Sequence, residues 1–223
     1  MYLWFAWHVL FQQDPKIEVF TCSLKDHRFE ILVAEHGQPL TLASLDQKSL
    51  VFAMNGGIFE PGYRPSGLLI RAGQVLYPLN LASGSGNFYL KPNGVFFIVD
   101  GHAQITNSES YAQLGLSPDW AIQSGPLLVE NGVLHPQLDP GGTQYFSRNG
   151  VGITDQGQLV LWVFLEPVTL YKCAEILKTK WHCSWVLYLD GSISGFRWGK
   201  NGMNLVKPYA TILAVHTDPP SQE

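Results

Sequence analysis

Charge is scarce in this sequence of 223 residues: 14% are Asp, Glu, Lys or Arg, against 46% hydrophobic. Disordered chains have the opposite balance, so this one is globular. Positive charge is scarcer still. Only five of the 14 basic residues are Arg, none form a run, and the net charge is −4. That excludes a nucleic-acid or anionic-membrane binder working by bulk charge, and any cationic site must be local. Cysteine is limited to Cys22, Cys173 and Cys183, an odd number with no metal spacing. A Cys173–Cys183 disulfide is allowed but unforced; buried free thiols are the expectation. Long apolar runs are absent too. MYLWFAWHVLF, at the N-terminus, is short of a membrane span and carries His8. It lacks a basic n-region and a small-residue cleavage site, so it reads as a first strand rather than a signal peptide. The expected location is cytoplasmic, or that of a mature exported form.

Several chemistries are missing as well. The chain has no G-x-S-x-G elbow, no H-E-x-x-H, no phosphate-binding loop ending in Gly-Lys-Ser/Thr and no calcium loop. Its seven histidines are scattered with no pair at ligand spacing, so no metal site is expected. No linker, repeat or low-complexity segment divides residues 1–223, which are read as one domain with a substantial core.

What the chain has is glycine turns between apolar runs. RAGQV (71–75), DGHAQ (100–104), ENGVL (130–134) and DQGQL (155–159) read as hairpins. Strands are expected near 2–11, 17–24, 27–34, 50–54, 67–71, 94–99, 119–123, 126–130, 149–154, 158–165, 185–190 and 209–215. The segment 169–181 places Leu170, Cys173, Ala174, Leu177 and Trp181 on one helical face, with Thr169 as cap. Shorter helices are expected at 108–116 and 41–48, each opening on a Ser or Thr cap. The order strand, helix, strand over 158–190 suggests a crossover, with 158–165 and 185–190 as parallel neighbours. The fold class is α+β: largely antiparallel, twisted mixed sheets built from hairpins, with two or three helices.

Four further glycine-bearing stretches stand apart: FAMNGGIFE (52–60), IQSGPLLV (122–129), SRNGVGI (147–153) and VLYLDGSISGF (186–196). Each sets a polar residue beside a glycine at a strand end. Singly, such residues are turn formers. Together, Asn55, Glu60, Arg148, Asn149 and Asp190 fit a shared cleft better than independent turns.

The run NGGIF, SGPLL, RNGVGI with DQGQLVLWV, YKCAEIL and YLDGSIS resembles the phosphodiester glycosidase domain. The resemblance covers roughly residues 17 to 215, and with GNFYLKPNGVFFI (86–98) the chain looks most similar to the family's bacterial branch. One departure is Ile193, where the family's D-G-G-G-S turn has a glycine. The resemblance implies hydrolysis at the anomeric carbon of a sugar joined to phosphate, without metal or organic cofactor. A phosphodiester anion leaves with little protonation, so the raised-pKa acid of ordinary glycosidases matters less. The site then needs a carboxylate for the oxocarbenium-like carbon and donors for the phosphate. Asp190 is the expected carboxylate, as nucleophile or as base for water, with Glu60 the second candidate. Arg148 is expected on the phosphate, or else in a buried salt bridge with Asp190 or Glu60. Glu175 is expected in a supporting role. Asn55, Asn149, Ser124 and Ser192 would bind substrate. Gly56, Gly57, Gly125 and Gly191 would let backbone N–H groups approach it. The expected partner is a small sugar phosphodiester or glycan. The alternative is a non-catalytic module binding a glycan, sugar phosphate or nucleotide.

Overall fold

The computed structural model describes residues 14–217; the strand expected near 2–11 lies outside them. The turn residues set the topology. Between Leu69–Arg71 and Gln74–Tyr77, Ala72 and Gly73 both have positive φ. Asp100 and Gly101 do the same between Gly94–Val99 and His102–Asn107, as do Asn131 and Gly132 between Leu127–Glu130 and Val133–Leu134. Two successive positive-φ residues match the twist of the strands they join, so each pair closes a tight hairpin.

The hairpins assemble three sheets. The largest runs, in spatial order, Ile17–Cys22, Leu159–Phe164, Asn149–Thr154, Cys183–Asp190, Leu127–Glu130 and Val133–Leu134. A second runs Asn201–Met203, Phe196–Trp198, Leu50–Asn55, Thr211–Thr217 and His27–Val33. The third runs Gln74–Tyr77, Leu69–Arg71, Trp120–Ser124, Gly94–Val99 and His102–Asn107. Their inner faces share one core, in which Phe20 and Leu187, Phe52 and Leu213, and Phe96 and Ile122 represent the three sheets.

The strand Leu159–Phe164 is apolar at every position because both of its faces are covered. Leu159, Leu161 and Val163 enter the central core. Val160, Trp162 and Phe164 pack with Cys173, Ala174 and Leu177 of the helix Leu170–Lys180. Opposite Trp162 in the ladder stands Gly150, and a Cβ there would run into the indole and Leu187 O. Glycine is therefore required at that position for space.

The expected crossover is present but spans one strand more than the spacing suggested. Leu159–Phe164 and Cys183–Asp190 are not neighbours: Asn149–Thr154 lies between them, antiparallel to both. The reason is local. The turn after Thr154 pairs Asn149–Thr154 with Leu159–Phe164 as a hairpin, which leaves the far edge of that hairpin for the strand returning from the helix. Thr169 caps the helix, accepting from Lys172 N–H, whereas Trp181 stays exposed rather than completing the apolar face. The 108–116 helix is Ser108–Leu114 and its cap is Asn107, not a serine. The 41–48 segment forms only a 3-10 turn, Leu42–Ser44, capped by Thr41. All three cysteines are buried free thiols.

Candidate active site

The polar strand ends converge where the three sheets meet. Asn55 closes Leu50–Asn55, Ser124 closes Trp120–Ser124, Asp190 closes Cys183–Asp190 and Asn149 opens Asn149–Thr154. Because the last two strands are antiparallel, Asn149 and Asp190 fall side by side. The pairing shifts by one residue between Asn149 and Gly150, and such a bulge re-aims the side chains beside it.

Hydrogen bonds tie the ends together. Asp190 is 8% exposed. Its Oδ1 accepts from the N–H groups of Gly191 at 2.6 Å and Ser192 at 3.0 Å. Its Oδ2 accepts from Asn55 Nδ2 at 3.0 Å and from Ile193 N–H at 3.3 Å. Burial holds the Asp190 carboxyl above its ordinary value of 3.8, and these four hydrogen bonds oppose that rise. Asn55 Oδ1 accepts from Gly195 N–H at 2.8 Å and from Asn149 Nδ2 at 2.9 Å. Ser124 Oγ donates to Leu189 O at 3.2 Å. Asn149 Oδ1 is buried and has no hydrogen-bond partner among the described residues.

Arg148 stands next to this knot and is 1% exposed. Its Nε donates to Val168 O at 2.7 Å and its Nη2 to Gln144 O at 2.9 Å. Phe146 and Tyr188 flank the guanidinium, with ring centres 5.3 and 5.5 Å from Cζ. Nη1 has no partner. The salt bridge expected with Asp190 or Glu60 does not form, and no ion pair among the described residues includes Arg148. Glu175, expected to support Arg148, pairs with Lys172 at 2.7 Å instead. A cavity of about 300 Å³ reaches Arg148 from between Leu138, Gln144, Leu170 and Tyr171. A larger groove of about 460 Å³ shares Thr169 and Tyr171 with it, and neither is lined by Asn55, Ser124, Asn149 or Asp190.

Glu60 is not brought into the knot. It is exposed on the small hairpin of Phe59–Glu60 and Arg64–Pro65, and it accepts from Ser66 Oγ at 3.0 Å. The glycines also have a different use from the one expected. Gly56 N–H donates to Thr211 O, and a Cβ on Gly56 would strike the Thr211 side chain. Gly125 faces Asn93 and Phe88 O, and Gly57 faces Ser124. These three let protein segments approach one another. Ile193 packs beside Leu42, Ala53 and Tyr209, so its side chain anchors the Asp190 turn to the second sheet. Sequence reasoning passed over Tyr188. It lies two residues before Asp190, and strand alternation puts both on one face; that parity was the available signal. Among the described residues, no three His, Cys, Asp or Glu side chains gather as metal ligands would. No helix there is long and apolar enough to cross a membrane.

With this geometry in view, the family match gives a class and the solved structures a shared fold. The phosphodiester glycosidase family model matches residues 48–215, and the chain belongs to that family. An uncharacterized protein of Escherichia coli K12, YigE, is 40% identical over 154 residues, which are 69% of this chain and 60% of that protein. The match therefore spans less than two thirds of that relative. The fold resembles the zebrafish N-acetylglucosamine-1-phosphodiester alpha-N-acetylglucosaminidase catalytic domain, auto-inhibited by its pro-peptide. That similarity has a TM-score of 0.64 at 15% identity, over 91% of this chain and 83% of the other. A putative exported protein of Burkholderia pseudomallei is also similar, with TM-score 0.59 at 8% identity over 89% of this chain and 73% of its own.

Proposed function

We propose that this protein hydrolyses the bond between a sugar's anomeric carbon and a phosphodiester, with N-acetylglucosamine-1-phosphodiesters as the substrate type to try first. The observation that carries the reading is the buried, unpaired Arg148 guanidinium beside the Asp190 turn. A buried cation without a counter-charge is costly, and a bound phosphate supplies the missing anion. Family membership and the zebrafish domain's name support the same ligand class.

In this reading Asp190 faces the anomeric carbon. It attacks that carbon itself, forming a glycosyl ester that water then hydrolyses, or takes a proton from the attacking water. The carbon–oxygen bond to phosphate breaks, and its electron pair leaves on the phosphate held by Arg148. Products are the free sugar and a phosphate monoester. Asn55 holds Asp190 in place, its amide being committed inside the protein. Ser192, exposed on the turn, and the unpartnered Oδ1 of Asn149 bind sugar hydroxyls. Glu60, exposed on its own hairpin outside this knot, is given no step in the reaction. The test is incubation with a nucleotide sugar and with an N-acetylglucosamine-1-phosphodiester, assayed for free sugar. Turnover that Asp190→Asn abolishes supports the proposal; no free sugar from either compound, or full activity in the variant, overturns it.

A second reading is a binder of the same ligands that does not hydrolyse them. The saturation of both Asp190 oxygens favours it. Calorimetry showing stoichiometric heat with the ligand recovered intact would select this second reading.

A further inference from the structure

We propose that the hollow beyond the last turn of the helix Leu170–Lys180 is a second binding site, which takes a neutral pyranose sugar on the indole face of Trp181. The site does not depend on the hydrolysis reading above. It encloses about 320 Å³ between Trp181, His182, Thr154, Asp155, Gln156 and Gln158. Thr154 pairs with Cys183 at one end of the ladder in which Asn149 pairs with Asp190 at the other. Five residue steps along that strand, at about 3.4 Å each, put the hollow roughly 17 Å from the strand-end knot.

Three observations point to a sugar. The helical period assigns Trp181 to the apolar face, yet it ends the helix with 36% of its surface exposed. A large aromatic in a polar-rimmed hollow marks an interaction site, and a flat indole suits the C–H face of a pyranose. Around it Asp155, Gln156, Gln158 and His182 are exposed, and among the described residues only their main-chain atoms are engaged. Asp155 N–H donates to His182 O at 2.9 Å, and Gln158 N–H to Thr154 Oγ1 at 3.0 Å. These bonds tie the turn to the helix end and leave a carboxylate, two amides and an imidazole for ligand hydroxyls. Finally, His182 has φ +51°. It follows the helix cap, where glycine is usual because a Cβ is strained there. A strained residue whose side chain joins a hollow serves a ligand better than it serves the turn. No Lys or Arg lines the hollow, and Asp155 repels anions, so the fit is to an uncharged sugar rather than a sugar phosphate.

The test is titration of the full chain with cellobiose, maltose and N,N′-diacetylchitobiose, none of which carries phosphate, followed by the indole N–H resonances in heteronuclear NMR. Trp181→Phe assigns the Trp181 resonance by its loss. At least one disaccharide is expected to shift that resonance saturably, with Kd of about 1 mM or tighter. Trp181→Ala should weaken binding about tenfold by removing the stacking face, and should leave turnover of an N-acetylglucosamine-1-phosphodiester at the wild-type rate. His182→Gly should weaken binding severalfold while keeping the unfolding midpoint near wild type, since glycine suits that backbone. Both residues are exposed, so each variant is expected to fold, and the wild-type resonance is a readout that needs neither. A Trp181 resonance unmoved by all three sugars at about 20 mM overturns the site, as does unchanged affinity in Trp181→Ala or His182→Gly. Sugar binding at Trp181 without turnover of any phosphodiester supports this site and defeats only the hydrolase reading; turnover with no shift at Trp181 does the reverse.

Discussion

Two buried charges sit at the same strand ends and are treated in opposite ways. Asp190 receives four hydrogen bonds, three from its own turn and one from Asn55. Arg148 has no carboxylate partner, and its Nη1 has no hydrogen-bond partner. The first arrangement is closed: it fixes a turn and binds two sheets together. The second is incomplete without a ligand. The difference separates what holds the site from what the site is for, and substitutions on the two sides should differ in kind.

The sharpest break is Asp190→Asn. Turnover should fall about 10³-fold or more if Asp190 reacts. The new amide would meet Asn55 Nδ2 donor to donor, and Asn55 cannot turn because its Oδ1 is held by Gly195 N–H and Asn149. Urea unfolding should therefore also register a loss of about 1–3 kcal/mol. Arg148→Lys comes next. It keeps the charge but loses the fork, and kcat/KM should fall about 10²-fold. Its unfolding free energy should change less than that of Asp190→Asn; the reverse order would erase the distinction between the two charges.

Asn55→Ala attacks the closed side alone. It leaves Gly195 N–H, Asn149 Nδ2 and Asp190 each short of a partner, and urea titration should show a loss of about 3 kcal/mol. Glu60→Gln should leave both kcat and stability nearly unchanged, the residue being exposed and outside the knot. A loss of about tenfold or more in kcat in that variant would return Glu60 to the site. The smallest effect is on pH dependence. With its folded pKa raised above 3.8, Asp190 binds a proton more readily folded than unfolded. Its contribution to stability is thus present below pH 3.8 and is lost as pH rises through the folded value. The difference in unfolding free energy between wild type and Asp190→Asn should shift in that sense between acid and neutral pH. The acid limb of kcat/KM should lie above the ordinary Asp value.

Much of the frame was readable in advance because its signals are local. The hairpin at Asp100–Gly101 follows from two residues that tolerate positive φ between β-rich runs. The helix after Thr169 follows from a cap and a 3.6-residue period. The motif order around Asn55, Arg148 and Asp190 suggested a shared site, and Asn55 and Asp190 do meet across two sheets. Less local features were not readable. The placement of Asn149–Thr154 between the two parallel strands depends on which edge of a hairpin remains free, a property of the assembled sheet. Gly56 and Gly125 looked like openings for a ligand, but protein fills the space beside them.

By itself, the sequence determined the α+β class, the hairpins, the family and the polar residues at strand ends, because each depends on residues near one another in the chain. Only tertiary structure decided that Asp190 would be enclosed while Arg148 stayed without a counter-charge, that Glu60 would remain outside on its hairpin, and that Tyr188 would pack against Gly191. Those outcomes turn on distances between segments far apart in sequence, and the balance between desolvation and hydrogen bonding is struck only once the sheets have closed around them.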